Sequence, residues 1–188
     1  MRDYRQSIKQ YLKKEIGVML ELDVAAINAA INALMDARER EANIYVFGNG
    51  GSAATASHFV CDFAKGCYEK LGAPKMRFHC LSDNTPITTA IANDIGYEDI
   101  YLFQLKDILK QDDLIIAISG SGNSKNIVKA VEYAKEIGTK VIGLTGYSGG
   151  RLKELADYEL HVPADDMQIA EDIHMVFDHM ILKVIGNE

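Results

Sequence analysis

The chain is short of positive charge, short of cysteine and without a long apolar run, and each shortage removes a class of function. Its 20 Lys and Arg are outnumbered by 27 Asp and Glu, which leaves a net charge of −7. Nucleic-acid surfaces need clustered Lys and Arg against phosphates. No basic stripe offsets the deficit, so no nucleic-acid partner is expected. The longest wholly apolar runs are only a few residues, as from Leu114 to Ile118, and nothing reads as a membrane span. The opening MRDYRQSIKQ is charged and has no apolar heart, so it does not read as a signal peptide, and a cytoplasmic location is expected. Cys61, Cys67 and Cys80 are odd in number and show no C-x-x-C spacing. They read as reduced core thiols rather than as a disulfide framework. Low-complexity linkers and internal repeats are also lacking, and 188 residues suit one domain better than two.

Two kinds of pattern fill the chain. Residues 4–38 carry apolar side chains at helical spacing: Ile8, Tyr11, Leu12, Ile16, Met19 and Leu20, then Ile27, Ile31, Leu34 and Met35. Asp23 before Val-Ala-Ala looks like an N-cap, so the segment reads as two helices or one broken helix. From residue 43 short apolar strands alternate with helices. The expected strands are Asn43–Gly48, Met76–Leu81, Asp113–Ser119, Thr139–Thr145 and Asp157–Val162, and the clearest helices Ser124–Glu136 and Met167–Ile185. Brief, mostly apolar strands are those of a buried parallel sheet. Their alternation with helices predicts a doubly wound α/β sandwich, with ligands outside the carboxyl ends of the strands.

Three of those strand ends carry small polar residues. The first runs Gly48-Asn49-Gly50-Gly51-Ser52, the third Ser119-Gly120-Ser121-Gly122-Asn123-Ser124, and the fourth begins Thr145-Gly146. A glycine-rich turn entering a helix aims backbone N–H groups and the helix dipole at an anion, and serine hydroxyls add neutral donors. One such turn can be a matter of chain geometry alone, but two loaded with serine point to a ligand. Neither has the Lys of G-x-x-x-x-G-K-[ST], nor a full dinucleotide fingerprint. The pattern predicts a bound phosphate monoester.

His58 and Asp62 stand one helical turn apart on the helix leaving the first loop. By themselves they could be a packed histidine and a solvated aspartate. The last helix, however, reads MQIAEDIHMVFDHMI and places Glu171, Asp172, His174, Asp178 and His179 among apolar residues. On an ideal wheel Glu171, His174 and Asp178 group together, whereas His179 lies about 80° from Glu171. The wheel does not choose between His174 and His179.

Read together, GNGGSA (Gly48–Ala53), SHF (Ser57–Phe59), ANDIGYEDIY (Ala92–Tyr101), SGSGNS (Ser119–Ser124) and GLTGYSGG (Gly143–Gly150) resemble the SIS (sugar isomerase) domain family in its phosphoheptose isomerase branch. The likeness covers almost the whole chain. It implies a flavodoxin-like three-layer sandwich with a five-stranded parallel sheet in residues 41–188, and N-terminal helices in residues 1–40 that build a homotetramer with sites at subunit interfaces. It implies sugar-phosphate binding through Asn49, Gly50, Ser52, Asp94, Ser119, Gly120, Ser121 and Ser124. It also implies a divalent metal on His58, Asp62, Glu171 and His179, zinc by the likeness, with mixed nitrogen and oxygen donors that suit zinc without excluding manganese, iron or nickel. His179 is thereby chosen over His174, which becomes a packing neighbour or a supporting partner.

Three positions depart from the branch. It has glutamate where this chain has Asp62, glutamine where it has Glu171, and threonine where it has Gly120. Asp62 draws its carboxylate back by roughly 1.5 Å. Eight residues separate Glu171 from His179, a rise of about 12 Å, so those two meet one ion only at full stretch or across a subunit boundary. The reaction implied is aldose–ketose isomerisation of a sugar phosphate, sedoheptulose 7-phosphate, through an enediol. Asp62 would be the base and His179 the acid/base partner. The competing readings are a phosphosugar-binding adaptor without isomerase activity, such as the family member that binds a replication initiator, and an isomerase acting on another sugar phosphate.

Overall fold

A computed structural model of the chain describes residues 2–187. Two helices open it, α1 (Arg5–Leu20) and α2 (Val24–Glu39), bent by 72° at the break between them. The break is made by Asp23, whose carboxylate accepts from the N–H groups of Ala25 and Ala26 at 2.9 and 3.0 Å and so caps α2. α2 buries Ile27, Ala30, Leu34 and Ala37, a stripe at steps of three and four. α1 buries nothing; Ile8, Leu12, Ile16 and Leu20 are exposed. At its C-terminal end Val18 and Met19 pack, partly buried, against the core, and further back Tyr11 donates to Asp172 and Lys14 pairs with Asp166 at 2.6 Å. Among the described residues no single helix is long and apolar enough to cross a membrane.

The remainder alternates as expected. β1 (Asn43–Gly48) leads into α3 (Gly51–Cys61), then a π-helical turn (Asp62–Cys67) and α4 (Tyr68–Leu71). β2 (Arg77–Cys80) is followed by α5 (Thr85–Asp94), a 3-10 turn (Tyr97–Asp99) and α6 (Leu102–Leu105). β3 (Leu114–Ser119), α7 (Lys125–Ile137), β4 (Lys140–Thr145), α8 (Gly150–Leu155), β5 (Tyr158–His161) and α9 (Met167–Ile185) complete the chain. All five strands pair in parallel in the order β2-β1-β3-β4-β5, the flavodoxin-like arrangement. All five strands begin and end within a residue of the sequence expectation, and Ser124, expected to open α7, is its cap.

Strand side chains alternate between two cores because the pleat has period two. Ile44, Val46, Leu114, Ile116 and Ile118 pack with α2, α3 and α9, while Tyr45, Phe47, Ile115 and Ala117 pack with α5 to α8. Three layers result, with both sheet faces covered. β1 and β3 are neighbours whose crossovers leave in opposite directions, and their register sets Gly48 beside Ile118. The loops after these two strands therefore open into the crevice where doubly wound sheets bind ligands.

Candidate active site

The crevice is lined by Asn49, Ser52, Ile118, Ser119, Gly120, Ser121, Ser124, Met167 and Glu171. It holds about 180 Å³, below the roughly 300 Å³ at which pockets for whole drug-sized ligands begin, so it suits one end of a ligand. Two helix N-termini converge on it: α3, entered through Gly50 at φ 54°, and α7, entered through Ser124. Their first-turn N–H groups and the serine hydroxyls supply neutral donors of the kind that can cradle an anion, with no Lys or Arg among the lining residues.

The cradle is braced from behind. Asn49 and Asn126 join their side-chain amides at 2.9 Å, and Tyr97 and Tyr101 donate to Asn49 Oδ1 at 3.1 and 3.2 Å. Ser119 Oγ donates to Ser124 Oγ at 3.2 Å, and Ser121 Oγ accepts from the Asn123 N–H. The loop after β4 closes the third side: the Gly146 N–H donates to the Gly120 carbonyl at 2.8 Å, and that of Leu152 to Gly122. Gly122 sits at φ 67°, and a Cβ there would lie 1.8 Å from the Gly149 carbonyl oxygen, so no side chain fits. The ANDIGYEDIY and GLTGYSGG motifs thus serve largely as supports. Asp94 lies exposed at the end of α5, outside the crevice, and bonds to the neighbouring Asn93.

α3 carries the second cluster at its other end. His58 Nε2 and His179 Nε2 are 3.0 Å apart, with the rings edge to face. Asp62 Oδ2 lies 3.7 Å from His58 Nε2, and Asp178 Oδ2 lies 3.6 Å from the same nitrogen. One ligand atom from each of the four residues lies within 4.8 Å of all the others. Asp62 opens the π-helical turn, the kind of local helix widening often found at functional positions. Asp178 is fully buried, and neither of its oxygens has a hydrogen-bond partner. Its carboxyl is pushed up to about 7, first by burial and then by the Asp62 charge.

The structure therefore brings together three of the four residues expected at the metal, His58, Asp62 and His179, and adds Asp178. Glu171 is outside that cluster, although it shares with His58 the lining of an open pocket beside it. Its carboxylate packs over Gly51 and lines the serine crevice. His174 is buried and donates from Nε2 to the Thr145 carbonyl at 3.2 Å, so it fastens α9 to the end of β4. Burial holds it neutral and its pKa down at about 4. The signal that could have singled out Asp178 was present: an acidic residue on an otherwise apolar helix face, in phase with Glu171 and His174.

Comparisons agree with this architecture. The SIS domain matches residues 3–146. A phosphoheptose isomerase of Helicobacter pylori (strain P12) is 37% identical over 177 residues, 94% of this chain and 89% of that one. A probable phosphoheptose isomerase of Thermoplasma acidophilum is 38% identical over 180 residues, 96% of this chain and 98% of that one. The solved phosphoheptose isomerase of Francisella tularensis superposes with a TM-score of 0.90 at 29% identity, with both chains fully covered.

Proposed function

The chain belongs to the SIS domain family, among its phosphoheptose isomerases, and on that premise we propose that it interconverts sedoheptulose 7-phosphate and D-glycero-D-manno-heptose 7-phosphate. One observation carries the reading: a single helix joins an anion cradle to an acid/base cluster. α3 starts in the serine crevice and ends at His58, with Asp62 directly after it. Ser52 and His58 are six residues apart, about 9 Å along the axis. An extended seven-carbon chain held by its phosphate at one end spans that distance and brings its carbonyl end to the cluster.

In this reading Ser52, Ser119, Ser121 and Ser124 hold the phosphate with neutral donors, and Asn49 and Gly50 shape the mouth of the cradle. Asp62 removes the proton from C1 of the ketose and returns it to C2 of the enediol. His179, exposed beside it, moves the proton between the C2 and C1 oxygens. A divalent cation, zinc on chemical grounds, would polarise the substrate carbonyl when bound. The donors suit one. In a tetrahedral zinc site with bonds of 2.0–2.1 Å, neighbouring donors lie about 3.3 Å apart. The contacts of His58 with His179, Asp178 and Asp62, at 3.0, 3.6 and 3.7 Å, bracket that value. His58, Asp62 and His179 would hold the ion.

The exposed apolar stripe of α1 supports assembly into a homotetramer, with sites between subunits. A cytoplasmic location follows from the metabolite nature of the substrate. The adaptor alternative has no comparable support, since binding alone does not call for a His/Asp cluster at the far end of α3. The test is incubation with sedoheptulose 7-phosphate in deuterated water, read by NMR. Exchange of one C1 proton together with appearance of the aldose is expected. No exchange, with this or any other ketose phosphate, would return the chain to the adaptor reading.

A further inference from the structure

We propose that Asp178, rather than Glu171, completes the cation site, so that this chain's donor set is two histidines and two aspartates. The inference rests on the metal-assisted isomerase reading above. Position is the first argument. Asp178 precedes His179 on α9, its Oδ2 lies 3.6 Å from His58 Nε2, and it belongs to the only group of clustered metal donors among the described residues. Glu171 lies seven residues earlier, about 10.5 Å back along the helix. Its carboxylate presses on Gly51, where a Cβ would stand 2.7 Å from Oε2, and it stands between the serine crevice and the open pocket that His58 borders, outside the group of four clustered donors.

The second argument is the state of the Asp178 side chain. It is fully buried, both oxygens lack a hydrogen-bond donor, and no Lys or Arg pairs with it among the described residues. A carboxylate removed from water without a partner is strongly disfavoured, and neutral donors are not supplied either. What faces it is His58 across the gap and Asp62 beyond, an arrangement that a divalent cation resolves and a fifth protein group would not. Burial among packed helices also aims the carboxylate, which a metal ligand requires.

The assignment explains the short arm of Asp62. A buried aspartate on the facing helix supplies charge to the ion, and Asp62, partly exposed at the start of the π-helical turn, keeps an oxygen free for the substrate proton. Glu171 is then an acceptor for a sugar hydroxyl between the phosphate cradle and the cation.

The experiment titrates the metal-free full-length protein with Zn²⁺ against a chromophoric chelator, and with Co²⁺ by visible absorption, for wild type, Asp178→Asn and Glu171→Gln. Wild type should bind one ion per chain with a tetrahedral cobalt spectrum. Asp178→Asn should lose more affinity than the roughly 10–100-fold that removal of an outer-sphere partner costs, with an altered cobalt spectrum. Glu171→Gln should stay within about threefold of wild type, since it loses no ligand, unlike even an outer-sphere change. Metal-free Asp178→Asn should melt no lower than metal-free wild type, because a buried unpaired charge has gone, and Asp178→Leu provides the same reading if the amide prevents folding. Binding by Asp178→Asn within threefold of wild type, or a loss in Glu171→Gln as large as in Asp178→Asn, overturns this assignment alone. Failure of wild type to bind either ion overturns it together with the metal-assisted reading.

Discussion

At the first turn of α3 the polar side chains are tied to one another: Asn49 to Asn126, Ser119 to Ser124, Ser121 to the Asn123 N–H. Ten residues on, His58, Asp62, Asp178 and His179 face each other with one short contact between them, and both oxygens of Asp178 have no partner. The contrast follows from the chemistry of the groups. Hydroxyls and amides both donate and accept, so they can brace each other and keep capacity for a ligand. Two carboxylates have only the imidazole N–H groups to draw on, and here the ring nitrogens face each other while neither Asp178 oxygen receives a donor. The serine end is complete before its ligand arrives, whereas the histidine end is finished only by something from outside.

The largest expected effect tests whether the unfinished end is the reacting one. Asp62→Asn keeps an oxygen for a cation but cannot take a proton, so turnover should fall by roughly 10²–10⁴, as for loss of a general base. Metal analysis alongside kcat separates the two roles, and normal turnover would move the chemistry elsewhere. Next comes the finished end. Ser119→Ala with Ser121→Ala should weaken sugar-phosphate binding by about 1.5–3 kcal/mol per hydroxyl while melting temperature changes little. Unchanged affinity in calorimetry would show that backbone donors alone make the cradle.

The smallest effect concerns His174, on the helix between the two ends. Its pKa is about 4 in the folded chain against 6.5 when unfolded. Below 6.5 the unfolded chain takes up a proton that the folded chain refuses. The contribution to stability is therefore full above pH 6.5 and declines as pH falls toward 4. At pH 5 the loss amounts to about 2 kcal/mol. His174→Gln keeps a donor for Thr145 and removes the titration, so its urea midpoint should drop less than that of wild type between pH 7.5 and 5. Equal drops would mean that His174 opens to water in the native state.

How much of this was readable beforehand divides along the same line. The sheet was legible because its strands are short, mostly apolar runs, as strands buried on both faces must be, and the break at Asp23 because a capping carboxylate acts within three residues. The serine loops could be read for the same reason, since a strand end and a helix start fix where their donors point. The cation cluster depends on how α3 and α9 cross, which no local pattern encodes. Helix phase grouped Glu171 with Asp178, and only packing shows that Asp178 joins the His58 cluster while Glu171 stands between it and the serine crevice. The π-helical turn after Cys61 was also invisible, because widening a helix needs no special residue.

A cradle built from hydroxyls and amides, on a chain of net charge −7, has a consequence for how the substrate arrives. A phosphate dianion approaches it against a field of its own sign and gains its hydrogen bonds only at contact. Enzymes that steer substrates with basic clefts slow down when salt is added. Here added salt shortens the reach of the repulsion, to a Debye length of about 10 Å at 0.1 M. Encounter should therefore quicken as ionic strength rises, and the bound state, held by neutral donors at close range, should be little disturbed.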